Sequence, residues 1–142
     1  MKNKDILTLV NGGILAATAH SLPVEHFYKW HKFRRALEKH YVAIDVEQKA
    51  LMKDCGIDPA AFNDASEEAR ARFDEANAQL MNDEAPIRLP APIPAEFYKG
   101  IYDENRAVPF AGRPVDIFSN LQVETAALEY LFTDPDAEEG HE

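Results

Sequence analysis

PVEHFYKWHKFRRALEKHYVAIDVEQKALMKDC, residues 23–55, runs from its opening proline to its end without a second Pro or any Gly. Apolar side chains return at three- and four-residue intervals. Trp30, Phe33, Leu37, Tyr41, Ile44, Leu51 and Cys55 fall on one stripe, with Gln48 as its polar interruption. Lys29, Lys32, Arg35, Glu38, Lys39, Asp45 and Lys49 fall largely elsewhere. That period is the one an α-helix needs to bury a single side. At about 1.5 Å per residue the helix is about 45 Å long, more than a compact domain of 142 residues requires. It therefore calls for a partner, either a second helix folded back on it or another chain.

Outward from this helix the punctuation is local. Upstream, Ser21 is placed to cap it, and Pro23 fits the first turn, where its missing N–H has no partner to lose. Downstream, Gly56 suits the residue just past the helix end. Asp58-Pro59 opens a short turn or helical piece through Phe62. Ser66-Glu67-Glu68 then reads as a cap with carboxylates in the first turn, which the helix dipole favours. Ala65, Ala69, Phe73, Ala76 and Leu80 make a narrow stripe suited to close packing, so residues 23–81 read as an antiparallel helical hairpin.

At the N-terminus, Lys2, Lys4 and the run from Ile6 to Ala19 imitate a secretory leader. Asp5 and the break at Asn11-Gly12-Gly13 oppose that reading. An amphipathic first helix is expected instead, capped by Asn3, with Ile6, Leu7, Leu9, Val10, Ile14 and Leu15 on its buried side. From Ala85 to Pro114 the prolines at 86, 90, 92, 94, 109 and 114 exclude a continuous helix or a central strand. Ile87-Arg88-Leu89 and Val115-Asp116-Ile117-Phe118 alternate and are expected to pair as short strands. Phe97, Tyr98, Ile101 and Tyr102 suggest a helical turn between them. Ser119 and Gln122 form a capping box for a last helix to about Phe132, docked by Ala127, Leu128, Leu131 and Phe132. The expected organisation is one helical domain over residues 1–133, with a Pro-rich extended insert over about 85–118, and an acidic, mobile tail over 134–142.

Charge narrows the partners. The chain carries a formal charge of −10, yet between His26 and His40 Lys29, Lys32, Arg34, Arg35 and Lys39 face only Glu38. An acidic chain disfavours nucleic acid, because every phosphate contact needs a cation. The basic segment suits an acidic protein surface, including that of another copy. The single cysteine, Cys55, allows no internal disulfide, which fits a host cytoplasm or a virion interior. No apolar run reaches the roughly 20 residues of a membrane span.

No arrangement points to catalysis, a cofactor or a metal. His20, His26, His31 and His40 lack helical ligand spacing, since His26 and His31 lie five apart where three or four is needed. Cys55 has no activating neighbours in sequence, Gly12-Gly13 lacks the rest of a phosphate loop, and the carboxylate pairs are adjacent and diverge on a helix. An enzyme would require a pocket where residues such as His31, Glu38 and Tyr41 converge. Two features favour binding. The interleaved aromatic and basic residues 27–35 suit a nucleic-acid or acidic-peptide surface, although one helix cannot present them all on one side, which assigns Trp30 and Phe33 to the core. The Pro-rich stretch from Leu89 to Pro94 suits a strap or an arm.

Leu22-Pro23-Val24, Phe33-Arg34-Arg35-Ala36-Leu37-Glu38, Phe73-Asp74-Glu75-Ala76-Asn77 and Ala126-Ala127-Leu128-Glu129-Tyr130-Leu131 follow a segment order that resembles a group of small tailed-phage and prophage proteins of uncharacterised function. In that group a short helix leads into a long charged helix, a hairpin, a short β segment and a leucine-containing last helix. Trp30 and the Pro-rich middle depart from it. The resemblance implies a phage origin and carries over no catalytic residue.

The expectation is thus a mainly α fold, with a long hairpin, N- and C-terminal helices and a small β-ribbon. Its expected function is non-enzymatic, a structural or assembly protein that forms homo-oligomers or binds a larger protein. Trp30, Lys32, Phe33, Arg35, Leu37, Lys39, Tyr41, Ile44 and Leu51 are the expected interaction residues. The alternative is an acidic inhibitor or DNA mimic that fills a basic site on a host protein.

Overall fold

The long helix, α2 (Val24–Asp54), is present, and its ends show why the sequence stops it there. The Pro23 carbonyl accepts the amides of His26 and Phe27 at 3.0 and 2.8 Å, so Pro23 itself is the cap residue and Ser21 is not. At the far end Gly56 takes a φ of +77°. Gly56 N–H donates to Lys53 and Ile57 N–H to Met52, at 3.0 and 2.8 Å. This pair of bonds closes the helix in a Schellman turn.

The computed structural model describes residues 1–87 and 91–133 and is mainly helical. Before α2 lies α1 (Asn3–Asn11); after it come α3 (Glu67–Asn82), β1 (Ile93–Pro94), α4 (Tyr98–Glu104), β2 (Val108–Phe110), β3 (Arg113–Val115), α5 (Leu121–Tyr130) and β4 (Phe132–Thr133). Ser66 caps α3 through its hydroxyl, which accepts Ala69 N–H at 3.1 Å. Asp58 does the same for the short 3₁₀ piece Pro59–Asp64, accepting Ala60 N–H at 3.0 Å. Gln48 meets Asn77 across the hairpin at 3.0 Å. Nearer the tip Leu51 and Met52 share a cluster with Ala69, Phe73 and Ile57. Positions rise on α2 as they fall on α3, so the two helices are antiparallel.

A larger core gathers Ile6 and Leu9 of α1, Trp30, Phe33 and Leu37 of α2, Ile101 of α4 and Val123, Ala126 and Ala127 of α5. Gly12 permits the closest approach of α1 to α5, since a Cβ there would run into Val123 Cγ2. Gly13 follows with a φ of +96°, so the glycine pair serves chain reversal. The Asn105 side chain ties the segment at Thr18 to the end of α4. Its amide accepts Thr18 N–H at 2.7 Å and donates to the carbonyls of Thr18 and Ile101 at 2.8 and 2.7 Å. It is fully buried.

Several local expectations are corrected. Asn3 is the first residue of α1; Lys2 precedes it, and the Asp5 carboxylate accepts Lys2 N–H at 3.2 Å. Asn3 is instead drawn inward to donate to the Leu80 carbonyl at 2.7 Å, because α1 packs against the end of α3. Asn120 caps α5, accepting Gln122 N–H at 2.8 Å. The Ser119 hydroxyl turns back to the Asp116 carbonyl. Leu128 is exposed at 39 %, outside the docked side of α5. The β-ribbon is built from β2 and β3, antiparallel, with Val108 opposite Val115 and Phe110 opposite Arg113. The residues from Ile117 form a 3₁₀ turn, and Ile87 lies in no strand. The rest of the first expected strand, Arg88 and Leu89, lies outside the described residues, as do Pro90 of the Pro-rich stretch and the acidic tail over 134–142. The second pairing is parallel and long-range, β1 with β4, joining Ile93 to Phe132.

Under that pairing sits Tyr98, edge-on to Phe132 and Phe118 at 5.2 and 5.8 Å. Its hydroxyl is buried without a hydrogen-bond partner. Burial first, and then the Glu124 carboxylate, hold this phenol well above its ordinary value. Tyr130 is pushed up to about 12, again by burial first and then by Asp5. Below the ordinary phenol value of about 10 both states keep these protons. Above it the unfolded chain ionises first, so stability falls as pH rises. Tyr98→Phe is therefore expected to fold as well as the native chain at pH 8 and to lose less stability by pH 11. Urea unfolding at the two pH values measures this, and equal losses would show that Tyr98 does not contribute.

Candidate interaction face on the long helix

The two sides of α2 have separate compositions. At about 100° per residue, His26, Trp30, Phe33, Leu37 and Ile44 share one narrow arc, and all are buried. On the opposite side Val24, Tyr28, Lys32, Arg35, Lys39, Val42, Val46, Lys49 and Lys53 follow one another at four- and three-residue steps. Every one of these is exposed. Among the described residues only six large apolar side chains are exposed, and Val24, Tyr28, Val42 and Val46 are four of them. Single exposed apolar residues are ordinary, but a continuous row of them marks a contact surface.

The row is also basic. Lys32 Nζ sits 4.6 Å from the centre of the Tyr28 ring, an exposed cation–π contact that holds both side chains in place. Lys49 pairs with Asp45 one turn earlier at 2.9 Å. Lys32, Arg35, Lys39 and Lys53 have no carboxylate in ion-pair range among the described residues. In a chain of charge −10, this helix side therefore has the sign opposite to the rest of the molecule.

The structure divides the expected interaction residues. Lys32, Arg35 and Lys39 are exposed on the outer side. Trp30, Phe33, Leu37 and Ile44 are not available to a partner, because the stripe expected to do the recognising is the one that closes the protein's own core. Tyr41 packs half-buried against the main core, and Leu51 does so in the tip cluster. The sequence reading takes Tyr28 only as part of the interleaved run 27–35 and passes over Val24, Val42, Val46 and Lys53 as contact residues. Their signal is present as the same four-and-three spacing read half a turn away, disguised because valines among lysines resemble a solvated side.

Elsewhere the chemistry-bearing residues have structural work. His31 meets the Phe27 ring edge-on at 4.5 Å, His20 stacks on Phe27 at 6.3 Å, and His26 lies against Phe97 at 5.0 Å. Among the described residues no three His, Cys, Asp or Glu side chains are grouped to hold a metal ion. A cleft of about 390 Å³ is lined by His31, Glu38, Leu15, Arg34 and Arg35; Tyr41 does not reach it. Arg34 donates there to the Leu15 carbonyl, tying α2 to the turn after α1. Cys55 is half-buried in the tip cluster. No described helix is long and apolar enough to cross a membrane. No known protein family, curated protein or solved structure matches the chain.

Proposed function

We propose that this protein works by protein–protein association, as a non-enzymatic structural or assembly component of phage or prophage origin. The observation that carries the association is the outer row of α2, where Tyr28, Val42 and Val46 lie exposed among Lys32, Arg35, Lys39, Lys49 and Lys53. Covering such apolar side chains contributes about 1.5–3 kcal/mol each when burial is complete. The cations speed the encounter with an acidic surface and select its register. The phage origin rests on the resemblance of its segment order to that of small tailed-phage and prophage proteins.

Absolute mass by light scattering, over a series of concentrations and salt, tests the reading. A mass that grows with concentration and falls with salt is expected, and Arg35→Glu/Lys39→Glu is expected to return it to the monomer. An unchanged mass in that variant would remove the outer row as the contact. The acidic outer side of α3, with Glu67, Glu68, Asp74 and Glu75 exposed, supports a second reading, an inhibitor or DNA mimic for a basic host site. That reading requires a monomer, with partner binding indifferent to Arg35→Glu/Lys39→Glu.

A further inference from the structure

We propose that the occupant of the outer row of α2 is the outer side of α3 on a second copy of this chain, so that copies join head to tail. The proposal rests on the association reading above and names its partner.

The two surfaces are complementary in sign and in size. On α3, Ala69 and Phe73 face inward and are buried. At about 100° per residue, Glu67, Ala71, Asp74, Glu75 and Ala78 fall on the opposite side, and all five are exposed. This side is acidic and carries only small apolar side chains. Ala71 and Ala78 leave room for Val42 and Val46 to approach the α3 backbone closely. The carboxylates then lie within reach of Arg35, Lys39, Lys49 and Lys53. With 16 residues at about 1.5 Å each, α3 is about 24 Å long and covers about half of α2.

Other pairings of the same surfaces are excluded by charge and geometry. Two α2 rows would set lysine against lysine, and two α3 sides carboxylate against carboxylate; either opposition destabilises the contact. Within one chain, α3 already uses Ala69 and Phe73 to close the hairpin. Its acidic side points away from its own α2 and must come from another molecule. One such contact leaves the α3 side of one copy and the α2 row of the other open, and the two surfaces face away from each other across the hairpin, so a second copy cannot engage both at once. Growth therefore continues to a ring or a filament and does not stop at a twofold dimer.

Charge reversal on each surface, followed by mixing, tests the pairing. The variants Arg35→Glu/Lys39→Glu and Asp74→Lys/Glu75→Lys alter exposed positions only, and circular dichroism confirms that each remains folded. Light scattering at low salt is expected to show a wild-type mass well above the 16.0 kDa of one chain, and each variant alone at the single-chain mass. An equimolar mixture is expected to regain the wild-type mass, because each variant's reversed surface meets the other's. A mixture that stays monomeric overturns the pairing. Asp74→Lys/Glu75→Lys assembling like wild type, while Arg35→Glu/Lys39→Glu does not, overturns α3 as the partner but leaves the outer row of α2 as a contact. A wild-type chain that is monomeric throughout overturns self-association, and the α2 row is then tested with foreign acidic proteins. Wild-type assembly unaffected by either variant overturns both the pairing and the outer row as the contact.

Discussion

Leu37→Glu is expected to destroy the fold, while the Arg35→Glu/Lys39→Glu change on either side of it leaves stability nearly untouched. Leu37 has no solvent exposure and lies in the core with Trp30 and Phe33. Truncating such a leucine to alanine costs about 2–5 kcal/mol. Glutamate adds to that loss either the burial of an unpaired carboxylate or the cost of protonating it at neutral pH. A domain of this size is stable by about 5–15 kcal/mol in all, so one such substitution removes most of the margin. Arg35 and Lys39 lie on the outer side of the same helix turns, where substitutions stay within about 0.5 kcal/mol. Urea unfolding followed by circular dichroism makes the comparison. A Leu37→Glu midpoint equal to wild type would place that side chain outside the core and undo the assignment of the two helix sides. Because the core stripe and the outer row share no residues, stability and association can be altered separately.

Asn105→Ala is expected to cost about 3 kcal/mol, because it is a fully buried polar side chain with all of its bonds made inside the protein. Three hydrogen bonds of 2.7–2.8 Å disappear with the side chain. Each contributes about 0.5–1.5 kcal/mol net, and more where the abandoned partner stays away from water. The bonds hold the segment at Thr18 to the end of α4, and the Asn105 carbonyl accepts Ile117 N–H at 3.3 Å. Aspartate is no substitute, since it keeps the acceptor for Thr18 N–H but loses both donors and brings a buried charge. Hydrogen exchange adds a local reading. The Thr18 amide, protected in the native chain, is expected to exchange far faster in Asn105→Ala than the amides at the hairpin tip. Uniform acceleration throughout would mean that Asn105 supports global stability without specifically holding that segment.

Interactions close in sequence account for what was legible beforehand. The helical hairpin is readable because a 3.6-residue period, a Ser66 cap and a Gly56 terminus act within a few residues of where they stand. Each makes its backbone bond to a neighbour in the chain. The buried stripe of α2 is likewise written in its spacing, as Trp30, Phe33, Leu37 and Ile44 show. The candidate site was readable only in part. Lys32, Arg35 and Lys39 stand out as cations, but the valines between them acquire meaning only when nothing covers them.

Tertiary contacts decided the rest. Asn3 is a plausible helix cap by its chemistry, yet the Leu80 carbonyl, far along the chain, draws it inward. Asn105 gives no local sign of joining Thr18 to Ile101. Ile93 pairs with Phe132 although a whole ribbon and two helices separate them. The sequence by itself determined the long helices, the ends marked by Ser66 and Gly56, and the side of α2 that must be buried, because periodicity and those caps are short-range. Only the tertiary structure decided which polar groups are taken inside, which strands meet and which side of the long helix is left open. Those outcomes depend on groups that only the folded chain brings within bonding distance.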